Sequence, residues 1–213
     1  MKKVFGEHHS LNALIWHWIG NVQIRLEKYH DALHAFQNAI TIQYHLNSKK
    51  DNINATESYA KIGIVYLLQQ KYDMSLDIFQ KVLNLRITLL GKSHPNTARM
   101  YNNIGSIFLQ TNKVQKARQF FQLALDTQKN AITKATKSSA NKSNEVKNLK
   151  LESAMTLINF GNLCKRIHEW EKAEKMFREA YDLQKEVLGC QNLIALTTLK
   201  MISESMTRRH CAA

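Results

Sequence analysis

The feature that most constrains this chain is a glycine that recurs four times, each time with a phenylalanine sixteen residues further on. The intervals between successive glycines are 43, 42 and 56 residues. Because the chain has only eight phenylalanines, four of them in one register with glycine is not a chance arrangement. A fixed period of this length is the signature of a repeat protein, in which each repeat is one supersecondary unit. The four pairs are Gly20 with Phe36, Gly63 with Phe79, Gly105 with Phe121, and Gly161 with Phe177.

Each repeat predicts a helical hairpin. In the third repeat, large residues recur every three or four positions from about Asn96 to Gln110, which is the period of one helix face. The same period continues from about Val114 to Asp126, after the polar turn 111–113. Glycine inside a helix costs about 1 kcal/mol relative to alanine, so four in register indicate a close approach of the second helix. A single hairpin cannot bury both of its faces, and we therefore expect the hairpins to stack.

The pattern resembles the tetratricopeptide repeat, in which small, Phe and small residues follow the glycine at 12, 16 and 19 positions. The period of about 42 residues, the linker Leu90-Gly91-x-x-His94-Pro95 and the segment Tyr101-Asn102-Asn103-Ile104-Gly105 resemble the kinesin-light-chain type. Leu188-Gly189 begins the same linker again, but Cys190-Gln191-Asn192 follows where His-Pro is expected.

The resemblance implies an all-α, right-handed α-solenoid of four tetratricopeptide helical hairpins plus a C-terminal capping helix. It also implies a non-enzymatic scaffold that binds proteins. Kinesin light chains carry a heptad coiled coil for their heavy chain as well, and this sequence has none. We therefore do not extend the resemblance to a motor complex.

The register divides the chain into an N-terminal tail (1–10), four repeats, and a capping helix with its tail (190–213). The repeats are expected at about 11–52, 53–95, 96–133 and 151–189, with a Lys/Ser-rich insert at 134–150. We expect a polar linker at 47–52, and a loop or disorder at 138–141 because that stretch is poor in apolar residues. The last amphipathic segment, about 192–206, has Ser203 where the glycine would stand. It is interpreted as a cap, or alternatively as a truncated fifth repeat.

The candidate binding site is the concave face, which the first helices of such an array line. Residues three before, one after and four after each glycine point there, with flanking cations. Amides in this set would bind the backbone of an extended peptide, and aliphatic residues would take its side chains. The alternative is that these residues only pack against the next repeat. The candidates are His17, Asn21, Lys61, Ile64, Leu67, Arg99, Asn102, Ser106, Leu109, Ile158, Asn162 and Lys165.

A sharper hypothesis for the same face is a carboxylate clamp like that of some tetratricopeptide co-chaperones. Such a clamp places Lys and Asn on the first repeat, Asn on the second, and Lys and Arg on the third. The matching positions here hold His17 and Asn21, Lys61, and Arg99 and Asn103, so only two of the five agree in type. Histidine is mostly neutral at pH 7, which weakens the charge of such a clamp.

The net charge of +13 favours acidic partners. We expect a protein or peptide partner of acidic character. The alternative is an RNA- or anionic-surface-binding helical protein that acts through its basic insert, since residues 129–150 hold six lysines and one acid, Glu145. That segment has no aromatic residue to stack on a base, which argues against nucleic acid. The simplest interpretation of the insert is a solvated, flexible linker.

No catalytic, cofactor-binding or metal-binding pattern is apparent in the sequence. His30 and His34 have the spacing of metal ligands on one helix face, but no third ligand is near, so we interpret them as surface histidines. Met-Lys-Lys at the start resembles a secretory signal, yet polar residues interrupt the apolar stretch and no cleavage site follows. Three irregularly spaced cysteines suit a reducing compartment. We expect a cytoplasmic protein that needs no cofactor.

Overall fold

The computed structural model describes residues 9–46, 49–137 and 143–211, and throughout these ranges the regular structure is helical, without a strand. The predicted loop at 138–141 and residues 47–48 of the predicted linker lie outside the described residues. The helices are α1 (Ser10–Arg25), α2 (Tyr29–Leu46), α3 (Lys49–Leu68), α4 (Tyr72–Leu90), α5 (Pro95–Gln110), α6 (Val114–Lys137), α7 (Ser143–Arg166), α8 (Trp170–Leu188) and α9 (Leu193–Cys211).

The helices form two compact units that divide after Gly91. In the first unit, α1 pairs with α2 and α3 pairs with α4, while α2 packs on α3 and joins the two hairpins. In the second unit, α5 pairs with α6 and α7 pairs with α8, while α6 packs on α7 and α9 packs on α8. These pairings are the four helical hairpins that the sequence predicts, followed by one further helix.

Each repeat glycine lies where the two helices of its hairpin cross, under the ring of its own phenylalanine. A Cβ atom added to the glycine would stand well inside van der Waals contact with that ring. The four phenylalanines are fully buried, and Phe36 also joins the core of the next hairpin at Ile62 and Val65. The predicted close approach is therefore confirmed. The shortest Cβ-to-ring distances are 2.6 Å for Gly20 and Phe36, 2.5 Å for Gly63 and Phe79, 2.8 Å for Gly105 and Phe121, and 2.5 Å for Gly161 and Phe177.

The turn of every hairpin has a residue in the left-handed region of the backbone, seven positions after the glycine. Asparagine tolerates this conformation, whereas other side chains pay a steric cost. The residues are Glu27 (φ 58°), Gln70 (φ 59°), Asn112 (φ 57°) and His168 (φ 61°). Gly91 (φ 91°) and Gly189 (φ 87°), the glycines of the two Leu-Gly linkers, end α4 and α8.

A second register runs through the buried polar residues. Each second helix buries a polar side chain 23 positions after its glycine, namely Gln43, Arg86, Gln128 and Gln184. Gln128 donates from Nε2 to Oγ1 of Thr156 at 3.1 Å, and Oγ of Ser58 donates weakly to Oε1 of Gln43 at 3.5 Å. Ser58 and Thr156 both stand five residues before the next glycine, so these bonds join successive hairpins. Arg86 instead binds residues of its own hairpin.

The interpretation of the Lys-rich insert as a flexible linker is wrong for the residues described. Helix α6 continues to Lys137 and α7 begins at Ser143. The buried side chains of Ala131, Ala135 and Leu149 form a small apolar cluster with Ile132 and Val146. Apolar residues at helical spacing thus outweigh the polar composition of this segment. Likewise α3 begins at Lys49, inside the predicted linker, because no glycine or proline stops the helix there.

Helix α9 keeps the register of a first helix, with Ser203 at the glycine position. Its buried residues correspond to those of α7 that face the preceding hairpin. The positions that in α7 face its partner α8 are exposed in α9, where Leu196 is 45% and Leu199 is 44% exposed. Helix α9 therefore covers α8. The face of α9 on which a second helix would pack remains exposed. The matching buried residues are Ala195, Thr198, Ile202 and Ser205 in α9, and Ser153, Thr156, Phe160 and Leu163 in α7.

Candidate functional site

In the first unit, the candidate residues lie half-buried on α1 and α3. Nδ1 of His17 lies 3.0 Å from Oγ of Ser58, which links the first helices of the two repeats. Nδ2 of Asn21 donates to the backbone oxygen of His17 at 3.1 Å. Nδ1 of His17 and Nδ2 of Asn21 are thus already hydrogen-bonded within the protein. The remaining candidates of this unit, Lys61, Ile64 and Leu67, follow along α3.

His17 does not carry the positive charge that a carboxylate clamp needs. Burial lowers the pKa of His17 below its ordinary value of 6.5, the carboxylate of Glu57 opposes this shift, and the cation of Lys61 adds to it. The imidazole is therefore neutral at pH 7. A cavity of about 170 Å³ beside it is lined by Glu57 and Gln43 among others.

Glu57 is itself held by a buried arginine. Nη2 of Arg86 lies 2.7 Å from Oε2 of Glu57, and Nε of Arg86 donates to Oγ1 of Thr56 at 3.1 Å. The Arg86 side chain is 1% exposed and that of Glu57 is 27% exposed. The pair fixes a carboxylate at the edge of the α1–α3 surface, so this surface carries charges of both signs.

In the second unit, the candidate residues form a cluster of amides and hydroxyls between α5 and α7. Nδ2 of Asn159 donates to Oδ1 of Asn102 at 3.0 Å and to Oγ of Ser106 at 3.3 Å. Ser106 in turn donates to the backbone oxygen of Asn102 at 3.0 Å. Asn159 was missed by the sequence analysis because it stands two residues before Gly161, outside the positions considered. Because Asn159 lies one helical turn before the predicted Asn162, on the same face of α7, its amide could have been recognised from the sequence.

The cations that flank this cluster have carboxylate partners. Nε of Arg99 lies 3.6 Å from Oε1 of Glu152, and Nζ of Lys165 lies 3.0 Å from Oε2 of Glu204. The hydrogen bond and charge of Lys165 lower the pKa of Glu204, although burial slightly opposes this. The α5–α7 surface is therefore closer to electrical neutrality than its sequence indicates.

The other candidates of this surface divide between packing and exposure. Ile158 packs against the core formed by Ala154, Leu157 and Ala180 of its own repeat. The backbone oxygen of Leu109 accepts from Nη1 of Arg166 at 2.7 Å. Asn162 is half-exposed, and its side chain makes no hydrogen bond within the described ranges.

Neither histidine of the His30/His34 pair belongs to a metal site in the part of the chain described, where no group of three ligating side chains occurs. His30 is 97% exposed and lies 3.7 Å from Asp31, and His34 contacts Asn38. Cys164 is buried, and burial raises the pKa of its thiol. Across the described helices, none is long and apolar enough to span a membrane.

Hairpins in a fixed register, with polar first-helix surfaces, define a helical repeat scaffold. Family models described as tetratricopeptide repeat match residues 13–45, 52–130 and 153–192. The chain belongs to the tetratricopeptide-repeat family. Repeats of this family are protein-interaction modules, which places the chain among protein-binding adaptors.

Solved structures share the all-α repeat solenoid fold. BtubC (BKLC) from P. vanneervenii has a TM-score of 0.68 at 14% identity, over 90% of this chain and 70% of that one. The apo form of RapI has a TM-score of 0.67 at 15% identity, over 93% of this chain and 64% of its own length. A putative kinesin light chain from Podosopora anserina with nearly identical repeats has a TM-score of 0.61 at 12% identity, over 95% of this chain and 89% of that one. No curated protein matches the sequence.

Proposed function

We propose that this protein is an adaptor that holds an extended, acidic peptide on the first-helix surface formed by α5 and α7. The observation that carries the proposal is the cluster of Asn102, Ser106 and Asn159, in which amides of two successive repeats are fixed by hydrogen bonds. Fixed side-chain amides hydrogen-bond the backbone of an extended chain without regard to its sequence.

Asn162 lies one turn from this cluster and completes the proposed backbone contacts. Lys165 and Arg99 stand at its margins, where an acidic side chain of the ligand would compete with Glu204 and Glu152 for them. The net charge of +13 attracts acidic segments before contact. The first unit offers a similar set at Asn21 and Lys61, which is proposed as a separate binding surface.

The test starts from a peptide library displayed on phage and selected on the full chain, without any assumed partner. We expect enrichment of Asp and Glu in the selected peptides. The variant Asn162→Ala should weaken a selected peptide about fivefold to tenfold, which corresponds to one hydrogen bond of about 1–1.4 kcal/mol. The matched control is Asn130→Ala, an exposed asparagine on the second helix α6. Unchanged binding by Asn162→Ala, or selected peptides without acidic residues, would refute the proposal.

A second candidate function, binding of RNA or an anionic surface, is favoured by exposed lysines near the ends of α6 and α7. These are Lys134, Lys137 and Lys147. Deleting the insert is an unsuitable test, since Ala135 and Leu149 belong to a buried cluster. The triple variant with glutamate at the three lysines leaves that cluster intact. Retardation of generic RNA that falls steeply between 50 and 200 mM salt in the native protein, as roughly expected for phosphate contacts, and that is lost in the variant would support this function.

A further inference from the structure

The second unit has a groove on its second-helix side, away from the α5–α7 surface. The groove has a volume of about 580 Å³ and lies between α6 and α8, with α7 as its floor. Helices α6 and α8 each pack against α7, and almost no contact joins them directly. The space between them is therefore open to solvent along its length.

The floor and walls of the groove are mostly apolar, with Ser153 as a polar residue of the floor helix. Leu157 and Phe160 of α7 lie at the bottom, and Leu125, Ile132, Met176 and Leu183 line the two sides. The side residues are only half-buried, although Leu125, Met176 and Leu183 pack on the core of the fourth repeat and Ile132 packs on the cluster around Ala131 and Leu149. Half-buried aliphatic residues on two facing helices are the usual lining of a groove that accepts a further helix.

The rim of the groove is acidic, in contrast to the chain as a whole. Asp126, Glu179, Asp182 and Glu186 line it, together with a single lysine, Lys129. Glu186 pairs with Lys150, whereas Glu179 and Asp182 make no ion pair within the described residues. A concentration of carboxylates on a protein of net charge +13 is a local feature that its overall composition does not explain.

The corresponding groove of the first unit shows that the acidic rim is not a general property of the repeats. It has a volume of about 500 Å³ and lies between α2 and α4. Tyr44, Tyr59 and Leu85 line it, and its charged residue is Lys81, without any carboxylate. The same architecture therefore carries opposite charge in the two units.

We propose that the groove between α6 and α8 is a docking site for an amphipathic α-helix of a partner protein, with basic residues flanking its apolar face. The lining residues extend from Gln122 to Thr133 on α6 and from Met176 to Glu186 on α8. At 1.5 Å per residue these stretches are about 15–17 Å long, which accommodates three turns of helix. Such a helix presents apolar side chains at i, i+4 and i+7 to the floor. Its lysines or arginines face Glu179 and Asp182 at the rim.

The probe is a designed, fluorescently labelled helical peptide with leucine at i, i+4 and i+7, alanine between, and lysine at the flanks. Binding to the full chain is measured by anisotropy. Two comparison peptides have the same length. One carries glutamate in place of lysine, and the other has its leucines redistributed around the helix. We expect saturable binding of the basic amphipathic peptide alone. Equal binding of either comparison peptide would overturn the proposal.

The double variant Glu179→Lys, Asp182→Lys should weaken the probe at least tenfold. Its matched control is Asp73→Lys, Asp77→Lys on α4, which makes the same change of charge at two exposed carboxylates. If the control weakens binding as much, the effect is general charge repulsion and the proposal fails. A benzophenone in place of the central leucine should attach to the segment containing Met176. Attachment to α5 instead would place the peptide on the first-helix surface and overturn the proposal.

A second copy of this chain is the competing occupant of the groove. Sedimentation of the full chain, with and without the probe, distinguishes the two. A dimer that the probe dissociates would show that the groove holds a second copy and would refute docking of a partner helix. A species that binds the probe without a change of oligomeric state supports the proposal. The Asn162→Ala variant should bind the probe normally, so failure of the α5–α7 surface and failure of this groove are separable.

Discussion

The ring of Phe121 lies so close above Gly105 that a Cβ atom on the glycine would stand 2.8 Å from it. Both residues are buried, and the ring is also 6.0 Å from that of Phe160 in the next hairpin, measured between centroids. The phenylalanine therefore has neighbours on both sides and little freedom to move away. The close contact between glycine and phenylalanine recurs in all four repeats and is the common element of their packing.

The substitution Gly105→Ala is expected to destabilise the protein, although alanine favours helix by about 1 kcal/mol. Forcing a methyl group into a filled core typically costs about 1–3 kcal/mol. We expect the steric cost to prevail, with a net loss of about 1 kcal/mol in the free energy of unfolding. Denaturation followed by circular dichroism measures it.

The compensating change Phe121→Leu provides the control for this prediction. In its background, Gly105→Ala should be neutral or stabilising, because the ring that it meets is gone. A double-mutant cycle isolates this coupling. Additive effects of the two substitutions would show that the clash is relieved elsewhere.

The substitution Gln70→Gly is expected to stabilise the protein. Gln70 is held at φ 59°, where a side chain costs about 1–2 kcal/mol. Glycine removes that cost but loses roughly 0.5–1 kcal/mol through the entropy of the unfolded chain. We expect a net gain of about 0.5 kcal/mol, measured as a higher denaturation midpoint. The control is Asn112→Gly at the equivalent position, which should gain less because asparagine tolerates this conformation.

Stability is expected to fall on acidification because of His17. Burial lowers its pKa in the folded protein, so the unfolded chain binds the proton first as the pH drops. The free energy of unfolding should therefore decrease from about pH 6.5 downward, until the pH passes the lower pKa of the folded state. The variant His17→Gln should show a shallower decrease between pH 7 and 5. A decrease as steep in His17→Gln as in the native protein would contradict the prediction.

Replacement of the buried Arg86 is expected to be among the more damaging single changes. Arg86→Met removes the guanidinium that binds Glu57 and Thr56, and breaking a fully buried pair costs about 3–5 kcal/mol. Because Glu57 is 27% exposed, water compensates in part, and we expect a loss of about 2 kcal/mol.

The variant Arg86→Gln places at this site the residue found at the equivalent position of the other repeats. It can still bond to Thr56, so it should lose less stability than Arg86→Met when both variants are unfolded with urea. Equal losses in the two variants would show that the hydrogen bond to Thr56 contributes nothing measurable.

The hairpins and their crossings were predictable from the sequence because glycine and phenylalanine at fixed spacing have a single packing explanation. The extent of α6 was not, because lysines mask the apolar spacing of Ala131, Ile132 and Ala135. Composition averages over a segment, whereas a helix needs only one apolar face. The continuation of α6 as far as Lys137 follows from that face and not from the charge of the segment.

The candidate surface was predictable only in part. Helical geometry gives the direction of Asn102 and Ser106, but it does not show that Asn159 holds them. The partners of Arg99 and Lys165 lie in other helices and become visible only when those helices are packed. The acidic groove has the same origin, since its carboxylates come from α6 and α8. Because these carboxylates are separated in the sequence, the sequence alone does not show that they lie at the same rim of a groove.

The buried polar side chain of each second helix decides which segments of this protein can be recombined. Gln43 and Gln128 each turn to a hydroxyl of the following repeat, so the helices α2 and α6 are interchangeable in this respect. Arg86 faces Glu57 and Thr56 of its own hairpin, and a graft of α4 without α3 would strand a guanidinium in an apolar interior. A chimaera made at the turn of the second hairpin should fail to fold where one made in the linkers succeeds. The two helices of the second hairpin must therefore be transferred together.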